Sequence, residues 1–240
     1  MSSRITCEVR TTAPVAVVRL AGALHLGTMR SVHRALSDAL VDQPEALVVD
    51  MAEVSVEDRL ALSVFAATAR RAEEWPAVPV VLCAPSPVAA RWLAESTTCR
   101  VVPVTADCAE ATRVASATLR MRARLEPVAE ACRRARELVT DACARWNLPE
   151  AAGPAALVLS ELVGNVVRHA GTPMQVTVTL RRPYLHLAVV DGSCAQAQPG
   201  GTDLHAEGGR GLMLVRELAQ RWGSVPAGQG KAVWAMLPAT

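Results

Sequence analysis

Two α/β units in tandem, the first with a mostly parallel sheet and the second a small α+β sandwich, are what the sequence predicts. Three observations carry this. Short β-branched runs alternate with helical patterns through the first half, as strand–helix units do when they build a parallel sheet with covering helices. The second half changes order to two helices, a hairpin, a loop, a helix and a final strand. Between them Arg120-Met-Arg-Ala-Arg-Leu-Glu-Pro127 is polar and ends in proline, which places the boundary there: residues 1–120, a linker over 121–127, and residues 128–240.

In the first unit, Ile5 to Val9 and Val15 to Leu20 read as a hairpin pair joined near Thr11 to Pro14. Leu26 to Val41 has helical spacing, Ala46 to Asp50 reads as a buried strand, and Glu57 to Trp75 as a long helix stopped by Pro76. A strand Val78 to Cys83, a helix Ser86 to Glu95, a strand Arg100 to Val104 and a helix from Ala106 to about Arg122 complete it. In the second unit, helices span Pro127 to Trp146 and Pro154 to Ala170, the latter capped by Gly171. Strands Gln175 to Arg181 and Tyr184 to Val190 follow across a tight Arg181-Arg182-Pro183 connection. A glycine-rich loop from Gly192 to Gly211, a helix Leu212 to Trp222 and a strand Lys231 to Leu237 come last.

Apolar residues make up 51% of the chain and aromatics only 3%, so both cores must be packed from Val, Leu and Ala. Of 25 basic residues only Lys231 is a lysine, and against 23 acidic residues they leave a net charge of +2. That gives no broad field for nucleic acid or an anionic membrane. Seven cysteines are scattered without a C-x-x-C pair, which predicts free thiols in a reducing cytosol rather than a disulfide frame or zinc. Charges at Arg4, Glu8, Arg10 and Arg19 leave no signal-peptide core, and no uncharged apolar run approaches the roughly 18–20 residues of a membrane span. A soluble, cytoplasmic protein is expected.

Three separated pieces of the second half have compatible chemistry. In Leu159-Ser-Glu-Leu-Val-Gly-Asn-Val-Val-Arg-His-Ala170, helical spacing gathers Glu161, Asn165 and His169 with Arg168 beside them, opposite an apolar stripe. Asn165 can offer its side-chain oxygen to Mg²⁺, and Glu161 can take a proton from a hydroxyl or water. A solvated polar face on an ordinary helix looks the same. The second piece, Val189-Val-Asp-Gly-Ser193, ends a strand in a carboxylate able to accept from an adenine amino group, although Asp-Gly is also a common turn. In the third, Gly208-Gly-Arg-Gly-Leu212, glycines let amides approach phosphate at a helix N-terminus and Arg210 can add charge. A linker before a helix has a similar pattern, and no Gly-Lys-Ser/Thr follows, so this is not a Walker loop.

Taken in order, E-x-x-x-N-x-x-x-H, D-G-S and G-x-G-L resemble the GHKL ATPase family, and within it the small anti-sigma factors that are serine kinases. The resemblance runs from about Leu125 to Thr240 and includes Gly230-Lys-Ala-Val-Trp234. It implies a Bergerat α/β sandwich, ATP and Mg²⁺ as cofactors, Glu161 as catalytic base and Asn165 as the metal ligand. It further implies Asp191 as adenine reader and Gly209 and Gly211 at a lid hinge, with Arg168, His169, Ser193, Arg210 and Leu212 lining the ATP site. Two departures stand out: Ser193 replaces the first glycine of the usual motif after the aspartate, and Ala232 stands where relatives often carry a hydroxyl residue.

Leu20-Ala-Gly-Ala-Leu-His-Leu26, Ala46-Leu-Val-Val-Asp50 and Val54-Ser-Val-Glu-Asp-Arg-Leu-Ala-Leu62 resemble a STAS domain, the fold of anti-anti-sigma factors, over about residues 1–120. That family carries D-S-[SA]-G at a helix start, its serine being the phosphate acceptor. Here Asp58 is followed by Arg59, Leu60 and Ala61, and an arginine cannot accept phosphate, so docking is the expected use of this domain. The two resemblances together imply an anti-sigma-type serine/threonine kinase, or a non-catalytic ATP-dependent switch, acting in transcription regulation. The implied partners are an anti-anti-sigma factor or a sigma factor, with a homodimer suggested and no direct nucleic-acid contact. His25, His33, His186 and His205 share no metal spacing and read as surface or strand residues, and Arg133-Arg134-x-Arg136 as a solvated helix face.

Overall fold

The computed structural model describes residues 4–12, 14–41, 43–115, 119–194 and 209–239. They divide into two units, Met1–Thr118 and Leu119–Thr240, each built on a five-stranded sheet. In the first, β1 (Ile5–Thr12) and β2 (Val15–Leu24) form the expected antiparallel pair. Strands β3 (Ala46–Val56), β4 (Val80–Cys83) and β5 (Val104–Thr105) extend the sheet in parallel, in sequence order. Side chains alternate between sheet faces, and that alternation assigns the helices. Leu47, Val49 and Met51 enter the larger core with α1 (Met29–Val41), α2 (Ser63–Glu74) and α3 (Pro87–Ala94). Ala46 and Val48 face the other way, against Ala111 and Ala115 of α4 (Cys108–Ala115).

Several boundaries differ from the sequence reading, each for a local reason. The helix expected from Glu57 begins as a 3₁₀ turn, Arg59–Leu62, because the Asp58 carboxylate accepts the Leu60 N–H at 2.8 Å and caps it there. The expected strand Arg100 to Val104 reduces to β5, a two-residue edge, with Thr97–Arg100 forming a turn capped by Ser96. The last helix of the unit ends at Ala115 rather than Arg122.

The second sheet runs β6-β7-β8-β10-β9, antiparallel throughout: β6 (Leu119–Leu125), β7 (Met174–Arg181), β8 (Tyr184–Asp191), β9 (Arg221–Ala227) and β10 (Gly230–Pro238). Residues 121–127, expected as a linker, thus lie mostly in β6. Met121 and Ala123 pack on the core while the intervening arginines face away, Arg120 Nε donating to Thr179 Oγ1 at 3.0 Å. Three helices share one sheet face: α5 (Ala131–Arg145), α6 (Pro149–Asn165) and α7 (Gly209–Leu218). Ala135, Val139, Leu159, Leu162, Val163 and Val215 meet Val176, Val178, Leu185, Leu187, Val189 and Val233 there. The helix expected to reach Trp222 stops at Leu218, and Arg221–Ala227, with Gly223 and Pro226 that a helix tolerates poorly, pairs with β10. Among the described residues one stretch, Pro149–Ala170, is long and apolar enough to cross a membrane by length and composition; its stripe of Val158, Leu159, Leu162, Val163 and Val166 lies in this core.

The cysteine expectation fails at one pair. Cys83 ends β4 and Cys108 opens α4, which packs on that strand, so their Cα atoms come within 5.2 Å and the two form a disulfide beside Asp50. Cys7, Cys99, Cys132, Cys143 and Cys194 are free thiols. A thiol reagent on the unfolded, unreduced protein is therefore expected to titrate five of the seven cysteines, and all seven after reduction.

His186, expected as an ordinary strand or surface residue, is 4% exposed in β8, between Thr179 of β7 and Met236 of β10 and on the face away from the helices. Among the described residues neither ring nitrogen has a hydrogen-bond partner. Burial, then the nearby charges of Arg181 and Arg120, push its pKa from 6.5 down to about 3, so the ring folds neutral. The unfolded chain therefore binds the extra proton between pH 6.5 and about 3, and stability falls as pH drops through that window. Urea unfolding at pH 7 and pH 5 should show the wild type losing about 2 kcal/mol more than His186→Leu, from about 1.4 kcal/mol per pH unit.

Candidate nucleotide site

Helix α6 does not run on regularly to Ala170. After Asn165 it widens into a π-helical turn, Val166–Ala170, closed by the Gly171 N–H on the Val166 carbonyl at 2.8 Å with Gly171 at φ 60°. Arg168, not His169, reaches back: its Nη2 lies 3.1 Å from Asn165 Oδ1 and 3.6 Å from Glu161 Oε2. Two oxygens expected to serve a cation and a proton thus face a guanidinium. Glu161 and Arg168 keep 32% and 48% of their side-chain surface, so this ion pair contributes at most about 1 kcal/mol. His169 is exposed.

Asp191 ends β8 on the face that the helices cover, because it alternates in phase with Leu185, Leu187 and Val189 of the core. The sequence reading depended on this placement, and Asp191 and α6 do lie on the same side of the sheet. Thr172, just past the Gly171 cap, accepts the Gly192 N–H at 3.0 Å and so ties the end of α6 to the end of β8. Gly230 opens β10 hard against the Asp191 backbone, where a Cβ would collide with the Asp191 carbonyl.

Sequence reasoning missed Lys231. It lies directly across from Asp191 in the β10–β8 register, and its Nζ sits 3.0 Å from both carboxylate oxygens. Asp191 keeps 0% and Lys231 11% of its side-chain surface. Oδ1 also accepts the Ser193 N–H at 2.7 Å, whereas Oδ2, among the described residues, is met by the ammonium alone. The signal available was the only lysine in a chain otherwise served by arginine, but its partner is 40 residues away. Ala232 alternates to the other face, so Lys231 rather than Ala232 meets Asp191.

The third piece joins the first at α7. A Cβ on Gly211 would overlap Glu161 Oε2 and stand 3.2 Å from its carboxyl carbon, so the helix start is set against the catalytic candidate. Leu212 is 5% exposed. Loop residues 195–208, with Gly208, lie outside the described residues, as do the side chains of Gly209 and Arg210. Two grooves along α5, lined by residues such as Arg133, Arg136 and Arg134, hold none of these side chains. Arg133 is engaged there by Glu130 and Glu137.

The second domain is thus a helix layer over an antiparallel sheet, with a buried carboxylate at a strand end and a helix N-terminus set against an acidic residue. Residues 121–237 match the family model of the histidine kinase-like ATPase domain, and residues 6–111 that of the STAS domain. The chain therefore joins a STAS domain to a histidine kinase-like ATPase domain, an architecture that supports a regulatory, ATP-binding role with protein partners. Among solved structures, an anti-sigma factor antagonist from Mycobacterium paratuberculosis is 23% identical, over 47% of this chain and 94% of that one, at a TM-score of 0.41. The RsbU and RsbW domains of a Mycobacterium tuberculosis protein are 16% identical over 50% of this chain and 32% of that one, at 0.39. The Bacillus cell fate determinant SpoIIAA in its phosphorylated form is 17% identical over 45% and 99%, at 0.35. No curated protein matches the chain.

Gly211 gives a test with opposing signs. Its φ is not in the left-handed region, so alanine there should raise stability by up to about 1 kcal/mol through helix propensity. The same methyl should displace the Glu161 carboxylate from its place beside α7. Denaturant melts and a crystal structure of Gly211→Ala check the two outcomes.

Proposed function

We propose that the C-terminal domain binds ATP with Mg²⁺ among α6, the adjoining ends of β8 and β10, and the start of α7, and phosphorylates a serine or threonine on a separate protein of the anti-anti-sigma type. The cytoplasmic outcome is control of transcription through partner exchange. The observation that carries this reading is the Asp191 carboxylate, fully buried at a strand end covered by the helices, whose Oδ2 is met among the described residues by the Lys231 ammonium alone. A carboxylate oxygen can take two donors, and an adenine amino group suits the place the ammonium leaves open. When bound, ATP supplies the phosphoryl group and Mg²⁺ neutralises its charge.

The chain's own residues divide the remaining work. Asn165 Oδ1 and Glu161 Oε2 already face a cationic group, that of Arg168, so the pair suits a cation, and Asn165 is the oxygen to hold a divalent one. Glu161 accepts the proton of the attacking hydroxyl. Arg168, released from Glu161, joins His169 and Arg210 near phosphate, while the α7 N-terminus, with Gly209, Gly211 and Leu212, presents amides. Ser193 holds Asp191 in place through its N–H.

The acceptor belongs to another protein because the first domain has none at the expected place. Arg59 is there, paired with Glu95 at 2.7 Å and lying 5.8 Å over the Trp92 ring. Ser63 Oγ nearby donates to the Leu60 carbonyl. The STAS domain thus serves as a docking module. A second reading, a non-catalytic switch whose partner affinity follows ATP occupancy, draws on the engagement of both Glu161 and Asn165 by Arg168.

Glu161→Ala separates the two. Phosphate transfer to a recovered partner is expected to vanish, with ATP affinity by calorimetry kept within about threefold, a change under 0.7 kcal/mol. Equal loss of binding and transfer would favour the switch.

A further inference from the structure

We propose that Lys231 is a second base-reading residue, its ammonium donating to adenine N1 while Asp191 Oδ2 accepts from the 6-amino group. This rests on the ATP reading above and extends it to base selection. Register places Lys231 and Asp191 opposite each other on the helix-covered face, both nearly dry. An ammonium has three N–H groups. Among the described residues two are used, one by Asp191 Oδ1 at 3.0 Å and one by the Ser193 carbonyl at 3.5 Å. What remains is the third N–H and, on Oδ2 3.0 Å from the ammonium, the lone pair that the ion pair leaves open.

A donor beside an acceptor reads more than a carboxylate alone. The adenine edge carries the complementary order, an amino donor next to the N1 acceptor. Guanine and hypoxanthine carry the reverse, a 6-oxo acceptor next to N1–H, and in the same pose would set oxygen against carboxylate and N–H against ammonium. A buried site with such groups rejects the reversed base because both partners are left unpaired. Mere charge compensation is the competing role: a lysine that only neutralises Asp191 has no reason to sense the atom at ring position 1.

Calorimetric titration of the full chain with Mg²⁺ and ATP, then with 1-deaza-ATP, which keeps the amino group and replaces N1 by C–H, tests the assignment. The unaltered chain should bind 1-deaza-ATP about 10- to 150-fold more weakly than ATP, the range of a hydrogen bond to a charged group. In Lys231→Met that penalty should disappear, ATP itself weakening by a similar factor. Equal binding of the two nucleotides by the unaltered chain overturns the proposal, and so does a penalty that persists in a folded Lys231→Met. The first comparison needs no variant, so it stands even if Lys231→Met leaves Asp191 too exposed energetically to fold. Absence of any ATP binding sinks the ATP reading as well, whereas ATP binding with no N1 dependence sinks only the role of Lys231.

Discussion

The buried ion pair between Asp191 and Lys231 is the constraint around which the second domain's polar end is built. Taking both charges out of water costs several kcal/mol each, and their attraction offsets this only where geometry and further hydrogen bonds are good. Here the ammonium sits evenly between two oxygens, and the Ser193 N–H supports one of them. Gly230 allows the strands to close on the Asp191 backbone, and Thr172 ties in the end of α6. Hydrophobic residues of the same volume would be no less stable at that place. A costly pair with acceptor capacity left on Oδ2 is better explained by recognition than by stability.

That rigidity contrasts with the other end of the site. Glu161 and Asn165 are partly exposed and Arg168 is exposed, and the Glu161–Arg168 ion pair is weak. A dry, over-determined end suits a group that must be identified. A wet end with exchangeable partners suits charges that come and go, as phosphates and a divalent ion do on the proposed reading. Arg168, on the same helical face as Glu161 and Asn165, closes on both oxygens.

Much of this was legible in the sequence, and the misses share a cause. Elements with their own periodicity, such as the α6 stripe or the alternating β7 and β8, could be read locally. So could the Glu161–Asn165 spacing and the glycines of α7. Leu119-Arg-Met-Arg-Ala-Arg-Leu125 also alternates strictly, yet its three arginines hid a strand whose polar side faces away from the core. Arg168 rather than His169 reaches the two oxygens, a choice between neighbouring residues that spacing alone leaves open. Lys231 with Asp191, and Cys83 with Cys108, are separated by 40 and 25 residues, and no local pattern records a contact that only sheet register or helix packing creates.

The first domain shows the same logic in reverse, where sequence spoke clearly and structure supplied the reason. Arg59 occupies the position at which a hydroxyl was sought, and its guanidinium is held by Glu95 and by the face of Trp92 on the neighbouring helix. Asp58 still caps the turn through Leu60 N–H, so the backbone of the segment keeps its shape while its chemistry has changed. Leu60 is 70% exposed beside it. A segment that retains its shape, presents an apolar side chain and lacks an acceptor is suited to being held by a partner without being modified by it. On the proposed reading, the acceptor of a phosphate from the second domain lies on a different chain.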